Sequence, residues 1–232
     1  MTAIYAHRGC TLNALENTLE AFTAAVELGC DGVELDVHRT SDGAIVVHHD
    51  AELSDGRAIA DTRCADLPPF VPTLEEVLEV LGSLRCNVEL KVDPDDPNFD
   101  PTDAFAAAVL GVVEQSGATD RVIYSSFHRP TIERVVALDP TVQVGWLLNP
   151  GTDLAEAVLS ARDAGFSALH PFVWSVKEEA LELAHDAGLE INTWTVNGPD
   201  DLKRMVELGV DCIITDRPDW GLLAVKMESF GD

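Results

Sequence analysis

The chain has 232 residues, of which 46% are hydrophobic, and a formal net charge of −26 at pH 7. The length suffices for one large domain with a sizeable core, and no apolar run approaches the roughly 20 residues that span a bilayer. The negative charge argues against nucleic acid and anionic membrane surfaces as partners. The start of the chain lacks a basic, cleavable leader pattern and the five cysteines form no C-x-x-C pair, so we expect a cytoplasmic protein with reduced thiols.

The first third of the chain mixes apolar strand patterns with two helical ones. Residues 3–7 predict a strand, residues 16–28 an amphipathic helix capped by Gly29, and residues 31–37 a second strand. A Ser-Asp-Gly turn before a β-branched segment at 44–48 predicts a hairpin arm, and residues 51–72 have no regular pattern. Thr73, with Glu76 three residues later, is a capping box for a helix that extends to residue 84.

From residue 87 onward, strand and helix patterns alternate regularly. Strands are expected at 87–92, 121–125, 142–148, 168–170, 190–196 and 211–215, and helices at 103–116, 130–138, 153–164, 176–187, 199–208 and 218–227. Strands that each lead to a helix predict an α/β fold, a single (β/α)8 TIM barrel over residues 1–232 with a short insertion after strand 2. A doubly wound open sheet is the alternative, but no G-x-G-x-x-G motif follows the first strand.

The second strand carries two carboxylates on one of its faces. Glu34 and Asp36 alternate with apolar residues, and Glu89 and Lys91 repeat this pattern on a later strand. In a barrel these side chains would converge at one mouth, where unpaired buried charges are costly. Three carboxylate ligands suit Mg²⁺ or Ca²⁺, beside a lysine that can bind an anion. For the first pair taken alone, salt bridges to arginine at a strand end are the alternative.

Two histidines are expected at the same mouth. His7 ends the first strand, with Arg8 beside it, and His49 ends the arm after strand 2. An imidazole exchanges protons near neutral pH, and the planar guanidinium of Arg8 matches phosphate oxygens. Two histidines on opposite sides of a bound anion could act as base and acid. Either histidine taken singly could instead have a structural role.

Several other polar and aromatic residues have less definite predictions. Trp194 is interpreted as a wall of the substrate pocket, with plain core as the alternative, and His170 could also line the pocket. Thr215 and Asp216 end the last strand at the same mouth, but the segment Asp216-Arg217-Pro218 is interpreted as a cap of the last helix. The histidines expected on the surface or in loops are His38, His128 and His185.

A set of short motifs resembles those of the glycerophosphodiester phosphodiesterases. The motifs follow the order of that family and span nearly the whole chain, so that together they are far more specific than any one alone. They are Ala6-His-Arg-Gly9, Glu16-Asn-Thr-Leu-Glu-Ala-Phe22, Glu34-Leu-Asp-Val37, His49-Asp50, Pro72-Thr-Leu-Glu-Glu-Val77, Glu89-Leu-Lys91, Ser126-Phe127, Trp194-Thr-Val-Asn197 and Ile214-Thr-Asp216.

The resemblance implies a TIM barrel that uses Mg²⁺ or Ca²⁺ to cleave small glycerophosphodiesters into sn-glycerol 3-phosphate and an alcohol. The functional residues it implies are the metal ligands Glu34, Asp36 and Glu89, the acid–base pair His7 and His49, and the phosphate contacts Arg8 and Lys91.

Two departures from the family pattern leave the preferred alcohol open. Leu15 stands where the family usually has proline, and residues 51–57 are shorter than the usual insertion and lack its Leu-x-Arg-Thr stretch. One alternative function is a lysophospholipase D-like reaction on lysophospholipids, which would require an apolar groove near Phe70 or Trp174. A second alternative is a non-catalytic barrel that binds a phosphate ester.

Overall fold

The computed structural model describes residues 1–95, 99 and 104–229. The described strands are β1 (Ala3–His7), β2 (Gly32–Arg39), β3 (Ile45–Val47), β4 (Arg85–Leu90), β5 (Val122–Ser126), β6 (Gln143–Leu147), β7 (Ala168–His170), β8 (Glu190–Thr193) and β9 (Cys212–Thr215). The described helices are α1 (Leu19–Leu28), α2 (Leu74–Leu81), α3 (Ala104–Gln115), α4 (Arg129–Leu138), α5 (Leu154–Ala164), α6 (Glu178–Asp186), α7 (Pro199–Leu208) and α8 (Pro218–Glu228).

Eight of these strands form a closed parallel barrel. Each pairs with its neighbours in the order β1-β9-β8-β7-β6-β5-β4-β2, and pairing of β1 with β2 closes the ring. Strand β3 lies antiparallel to β2 outside the ring, and it forms the arm that carries His49 beyond its end. The predicted (β/α)8 barrel, with its insertion after β2, is confirmed.

The two faces of each barrel strand have different chemistry. On β2, the outward residues Val33, Leu35 and Val37 are fully buried in the main hydrophobic core, between the sheet and the helices. The inward residues Glu34 and Asp36 point toward the barrel axis, because side chains alternate along a strand. The period-2 pattern that is visible in the sequence therefore becomes an apolar shell around a polar interior.

Helix ends differ from their predicted positions by a few residues. The helix expected from residue 16 begins at Leu19, because Thr18 has extended backbone and its hydroxyl accepts a hydrogen bond from the Ala21 N–H. The capping box at Thr73 is confirmed, but its helix ends at Leu81 instead of residue 84. The predicted start of α3 at residue 103 lies outside the described residues.

The charge of the chain leads to a prediction about its stability in salt. Acidic residues number 41 and basic residues 15, and only four of the basic ones are lysines. If this composition is an adaptation to a salty cytoplasm, Tm should rise by several degrees through molar KCl, because screening relieves self-repulsion. Differential scanning calorimetry over a KCl series would measure this rise, and a flat response would point to biased base composition instead.

Candidate active site

Three carboxylates from two adjacent strands meet inside the mouth of the barrel. Glu34 and Asp36 lie on β2 and Glu89 on β4, with Asp36 directly opposite Glu89 in the parallel register. Their exposed fractions are only 3%, 1% and 9%, and one oxygen from each lies within 4.8 Å of the others. Such proximity of buried like charges requires positive charge nearby.

Two cationic side chains supply part of that charge. Lys91 Nζ lies 3.0 Å from Glu89 Oε1 and 3.5 Å from Asp36 Oδ1. Arg8 Nε lies 3.4 Å from Asp36 Oδ2, and the Arg8 backbone N–H donates to Glu34 at 3.1 Å. The three carboxylates therefore have two permanently cationic neighbours, so the cluster would carry a net negative charge unless a further positive group were bound.

The excess of negative charge in the cluster is reflected in the pKa values of two of its carboxylates. Burial and the neighbouring charge of Asp36 raise the pKa of both Glu34 and Glu89 above the ordinary range of a carboxyl group. A bound divalent cation would favour the ionised carboxylates and so oppose these upward shifts of their pKa, and an all-oxygen donor set fits a hard cation. The predicted ligands Glu34, Asp36 and Glu89 therefore form a group that could hold a metal ion.

An unusual backbone holds Arg8 against this cluster. Arg8 and Asn17 both have φ of 56°, in the left-handed region that residues other than glycine rarely adopt. The Asn17 N–H donates to the Arg8 carbonyl at 2.9 Å, and its side-chain amide donates to Asp36 at 2.8 Å. The two residues with left-handed backbone are thus the ones that hold Arg8 against the carboxylate cluster, and backbone strain of this kind is common at functional sites. Asn17 was not assigned a role from the sequence, where it was only part of a motif.

His7 is held by residues from the far end of the chain. Its Nδ1 lies 2.6 Å from Asp216 Oδ1, and its Nε2 lies 3.8 Å from Glu34. Asn197 in turn donates to Asp216 Oδ2 at 2.6 Å and accepts from the Asp216 backbone N–H. Burial alone would lower the pKa of His7, but the hydrogen bond to Asp216 and the charge of Glu34 outweigh it and raise the pKa. Asp216 thus pairs with His7, while Arg217 occupies the N-cap position of α8 and Pro218 lies in its first turn, so the capping interpretation holds for Arg217 and Pro218 and is wrong for Asp216.

The bond to Asp216 should fix which nitrogen of His7 faces the site. With Nδ1 protonated toward the carboxylate, Nε2 is the atom available for proton exchange. We expect Asp216→Ala to lower kcat at least about tenfold with a smaller change in KM, because the ring loses its orientation. Steady-state kinetics would measure this, with Asp186→Asn on the exposed end of α6 as the control. Equal losses in the two variants would contradict a positioning role.

His49 also pairs with a carboxylate, in a more open setting. Its Nδ1 lies 2.7 Å from Asp50 Oδ1, and it borders a cavity of about 860 Å³ that Glu89 and Lys91 also line. The structure thus brings His49 to the same mouth as the metal-candidate cluster, as the sequence predicts. Asp50 directly follows His49 in the chain, whereas Asp216 is distant in sequence from His7, so the His49–Asp50 pair is a local contact.

His38 lies on β2 behind His49 and is only partly exposed. Burial lowers the pKa of His38 to about 4, so its ring is neutral near pH 7. Its Nε2 therefore donates to the His49 carbonyl, at 3.1 Å. The expectation of a surface or loop position is wrong, because His38 on β2 and the segment after β3 face each other across the hairpin.

Loss of this tether should loosen the segment that carries His49. We expect His38→Leu to lower kcat by about 3- to 10-fold, the equivalent of one hydrogen bond, and His38→Gln to recover part of the loss because it retains a donor. Rates measured under saturating substrate would test this. Full activity of the leucine variant would show that His49 is held adequately without the tether.

Aromatic side chains form one wall of the mouth. Trp194 is partly exposed, its indole N–H donates to the His170 carbonyl at 2.7 Å, and its ring contacts Phe127 and Phe172 edge to face. This placement favours the pocket-wall interpretation of Trp194. His170 itself is fully buried, with its pKa lowered by burial to about 3, and it fills the space over Gly145 inside the barrel. It therefore lies beneath the mouth and does not line it.

The fold and the site together define a class of protein. Catalytic groups of TIM barrels gather at the carboxyl ends of the strands, and here that end combines an acidic cluster, two cationic side chains and two histidines. A site of this kind suits a barrel hydrolase that acts on phosphate esters.

Comparison with known proteins gives the family. Residues 7–220 match the model of the Glycerophosphoryl diester phosphodiesterase family, and the chain belongs to that family. A glycerophosphodiester phosphodiesterase from Caldanaerobacter subterraneus subsp. tengcongensis is 32% identical over 94% of this chain and 95% of its own length. The chain is accordingly a phosphodiesterase.

Solved structures agree with this assignment. A glycerophosphodiester phosphodiesterase from Parabacteroides distasonis superimposes with a TM-score of 0.86 at 26% identity, over 98% of both chains. A phosphodiesterase from Oleispira antarctica, in complex with the product sn-glycerol-3-phosphate, gives a TM-score of 0.86 at 25% identity, over 97% of both chains. Within the described part of this chain, no helix is long and apolar enough to span a membrane.

Proposed function

We propose that the chain hydrolyses glycerophosphodiesters to sn-glycerol 3-phosphate and an alcohol, with Mg²⁺ or Ca²⁺ held by Glu34, Asp36 and Glu89. The observation that carries this proposal is the convergence of three buried carboxylates with Arg8 and Lys91 at the barrel mouth. The product bound by the Oleispira antarctica relative supports the same product here. Five unpaired cysteines favour a reducing, cytoplasmic setting.

In this proposal Arg8 and Lys91 bind the phosphate and orient it. Both cations already contact the carboxylate cluster, so an anion that contacts them lies next to it. A divalent cation bound there would stabilise the negative charge that develops on the phosphate oxygens. Trp194 and its aromatic neighbours would contact the carbon skeleton of the substrate.

The two histidines would perform the proton transfers. One takes the proton of the glycerol 2-hydroxyl as its oxygen bonds to phosphorus, and the other gives a proton to the alcohol oxygen as its bond to phosphorus breaks. The nucleophile is part of the substrate, so much of the entropic cost of attack is avoided. A cyclic 1,2-phosphate forms, and water opens it with the histidine roles reversed. Carboxylate partners on Nδ1 leave Nε2 of each ring for these transfers.

One assay tests the proposal. The protein is incubated with glycerophosphocholine and with glycerophosphoethanolamine, in Mg²⁺, in Ca²⁺ or in excess chelator, and released sn-glycerol 3-phosphate is measured enzymatically. We expect release that depends on the cation. Undiminished release after exhaustive chelation would contradict metal dependence, and the absence of release under all conditions would contradict the activity.

One observation favours lysophospholipids as a second substrate class. Trp174 is 72% exposed and contacts Phe172, which continues the aromatic row from Trp194 toward solvent. An acyl chain could lie along this row. Release of free alcohol from lysophosphatidylcholine, lost in Trp174→Ala, would support this class, whereas turnover of deacylated diesters alone would exclude it.

A further inference from the structure

The inside of the barrel carries buried polar side chains in addition to the carboxylate cluster. Four of them, on β4, β5, β7 and β8, have at least one polar atom with no hydrogen-bond partner within the described part of the chain, and they are Asn87, Ser125, His170 and Asn192. Each of the four is at most 5% exposed. Buried polar groups are nearly always hydrogen-bonded, either to protein or to ordered water. Groups of this kind are therefore anchors for buried water.

Asn87 lies next to two of the metal-candidate carboxylates. It is directly opposite Glu34 in the register of β2 and β4, and it precedes Glu89 by two residues on the same inward face of β4. Neither Oδ1 nor Nδ2 of its amide has a partner among the described residues, although the residue is only 1% exposed. A water molecule that accepts a hydrogen bond from this amide keeps both of its own protons to donate to a carboxylate.

Ser125 borders the same carboxylates from the next strand. It is directly opposite Glu89 in the register of β4 and β5, and its fully buried hydroxyl has no partner in the part of the chain that the structure describes. The neighbouring Ser126, whose side chain faces the other way, is fully bonded: its hydroxyl donates to the Leu90 carbonyl at 2.8 Å and accepts from the His128 N–H at 3.1 Å. The orphaned hydroxyl is thus the one that faces the cluster.

The polar interior continues around the barrel away from the carboxylates. His170 fills the space over Gly145, and its Nε2 lies 3.1 Å from the side-chain nitrogen of Asn192. The ring is neutral near pH 7, because burial lowers its pKa to about 3. A neutral imidazole that accepts at Nε2 carries its proton on Nδ1, and this donor has no partner among the described residues. The interior therefore offers donors as well as acceptors to water.

We propose that Asn87 and Ser125 are positioning residues of the metal-candidate site. They bind ordered water against Glu34 and Glu89, and that water orients the two carboxylates toward a divalent cation. The inference rests on the proposed function, because it requires a cation held by these carboxylates. Groups that hydrogen-bond to metal ligands fix the orientation of those ligands, and their loss typically costs about 10- to 100-fold in metal affinity.

The test compares variants that remove the orphaned atoms with one that removes a bonded hydroxyl elsewhere. Ser125→Ala deletes one oxygen, Ser125→Thr keeps the hydroxyl, and Asn87→Leu replaces the amide by an apolar group of similar size. The matched control is Ser167→Ala at the amino end of β7, where the hydroxyl accepts from the Val144 N–H at 3.3 Å. Calorimetric titration of the chelator-treated proteins with Mg²⁺ and with Ca²⁺ gives Kd, and thermal melts in chelator give Tm.

The affinity for the cation should fall in the variants that lack the orphaned atoms. We expect Kd to rise about tenfold or more in Ser125→Ala and in Asn87→Leu, to stay close to the wild-type value in Ser167→Ala, and to recover most of the affinity in Ser125→Thr. Product release by Ser125→Ala should return toward the wild-type rate at saturating cation. A high-resolution crystal structure of the wild type should show ordered water within hydrogen-bonding distance of both Asn87 and Ser125, a result that requires no variant to fold.

The outcomes separate this inference from the function on which it rests. Unchanged Kd in Ser125→Ala and Asn87→Leu, with a raised Tm, would overturn it, because removal of a buried polar group with no role only relieves a desolvation cost. An equal loss of affinity in Ser167→Ala, or an interior without ordered water beside Asn87 and Ser125, would also overturn it while the phosphodiesterase activity stands. A wild type that binds neither cation and releases product in chelator would overturn the proposed metal dependence, and the positioning role with it.

Discussion

Replacement of either His7 or His49 by alanine is expected to lower kcat by about 10²- to 10⁴-fold, because each removes one general acid–base role. The fold should persist, since both side chains face the mouth and not the apolar shell between sheet and helices. Stopped or continuous assays of sn-glycerol 3-phosphate release, together with circular dichroism, would measure both properties. The control is His185→Ala on α6, where an exposed histidine pairs with Asp211, and it should retain activity within about twofold.

A modified substrate tests whether one of these histidines acts on the glycerol 2-hydroxyl. A 2-deoxy analogue of the glycerophosphodiester keeps the charge and the shape but has no internal hydroxyl nucleophile. If one histidine acts on that hydroxyl, the analogue should be hydrolysed at least about 10²-fold more slowly than the natural diester. Hydrolysis at the natural rate would eliminate the cyclic intermediate and leave direct attack by water. The double-histidine scheme would then need revision, even if both alanine variants are inactive.

Local patterns in the sequence were sufficient to predict the carboxylate cluster. Alternation along β2 and β4 places Glu34, Asp36 and Glu89 on inward faces, and the barrel topology brings the two strands together. The same reasoning places His7 at the end of β1. These predictions succeed because they depend only on period-2 alternation and on the common direction of parallel strands.

Contacts between distant parts of the chain were not predictable in the same way. Asp216 lies 209 residues from His7, and it reaches His7 because β9 pairs with β1 when the barrel closes. Nothing in the local sequence distinguishes a carboxylate that caps α8 from one that binds a histidine across the closure. His38 was misplaced for a related reason, since its partner is a backbone carbonyl that no residue pattern reveals.

The two histidine–carboxylate pairs also differ in a way that matters for their roles. Asp216 is itself fixed by Asn197, whereas Asp50 is largely exposed and has the neighbouring His49 as its hydrogen-bond partner. His7 is therefore held rigidly within the cluster, and His49 lies on a surface segment fastened to β2 through His38. If His7 and His49 perform the proposed proton transfers, His7 would act from a fixed position beside the carboxylate cluster and His49 from the more open side of the mouth.

Neutralising one metal-candidate carboxylate is expected to remove most activity. Glu34→Gln, Asp36→Asn and Glu89→Gln each delete one anionic oxygen ligand from a set of three, so the affinity for Mg²⁺ and Ca²⁺ should fall. Isothermal titration calorimetry would measure the affinity, and product release would measure the activity. Glu27→Gln on the exposed face of α1 makes the same charge change away from the site and should alter neither.

The same variants, which should lose activity, are expected to be more stable than the wild type when no divalent cation is present. Folding places Glu34 and Glu89 where burial and Asp36 raise their pKa, so above the ordinary carboxyl pKa of 4.5 the folded state binds more protons than the unfolded chain. Stability in chelator must then fall as pH rises through that window toward the raised pKa values. Glu34→Gln removes much of this dependence, so its Tm should exceed that of the wild type at pH 8 by more than at pH 5. Thermal melts in chelator at the two pH values measure the difference, and Glu27→Gln supplies the baseline. If the difference in Tm between Glu34→Gln and the wild type is the same at pH 5 and pH 8, Arg8 and Lys91 already compensate the charge of the carboxylates. The electrostatic reason for a divalent cation at this site would then be gone.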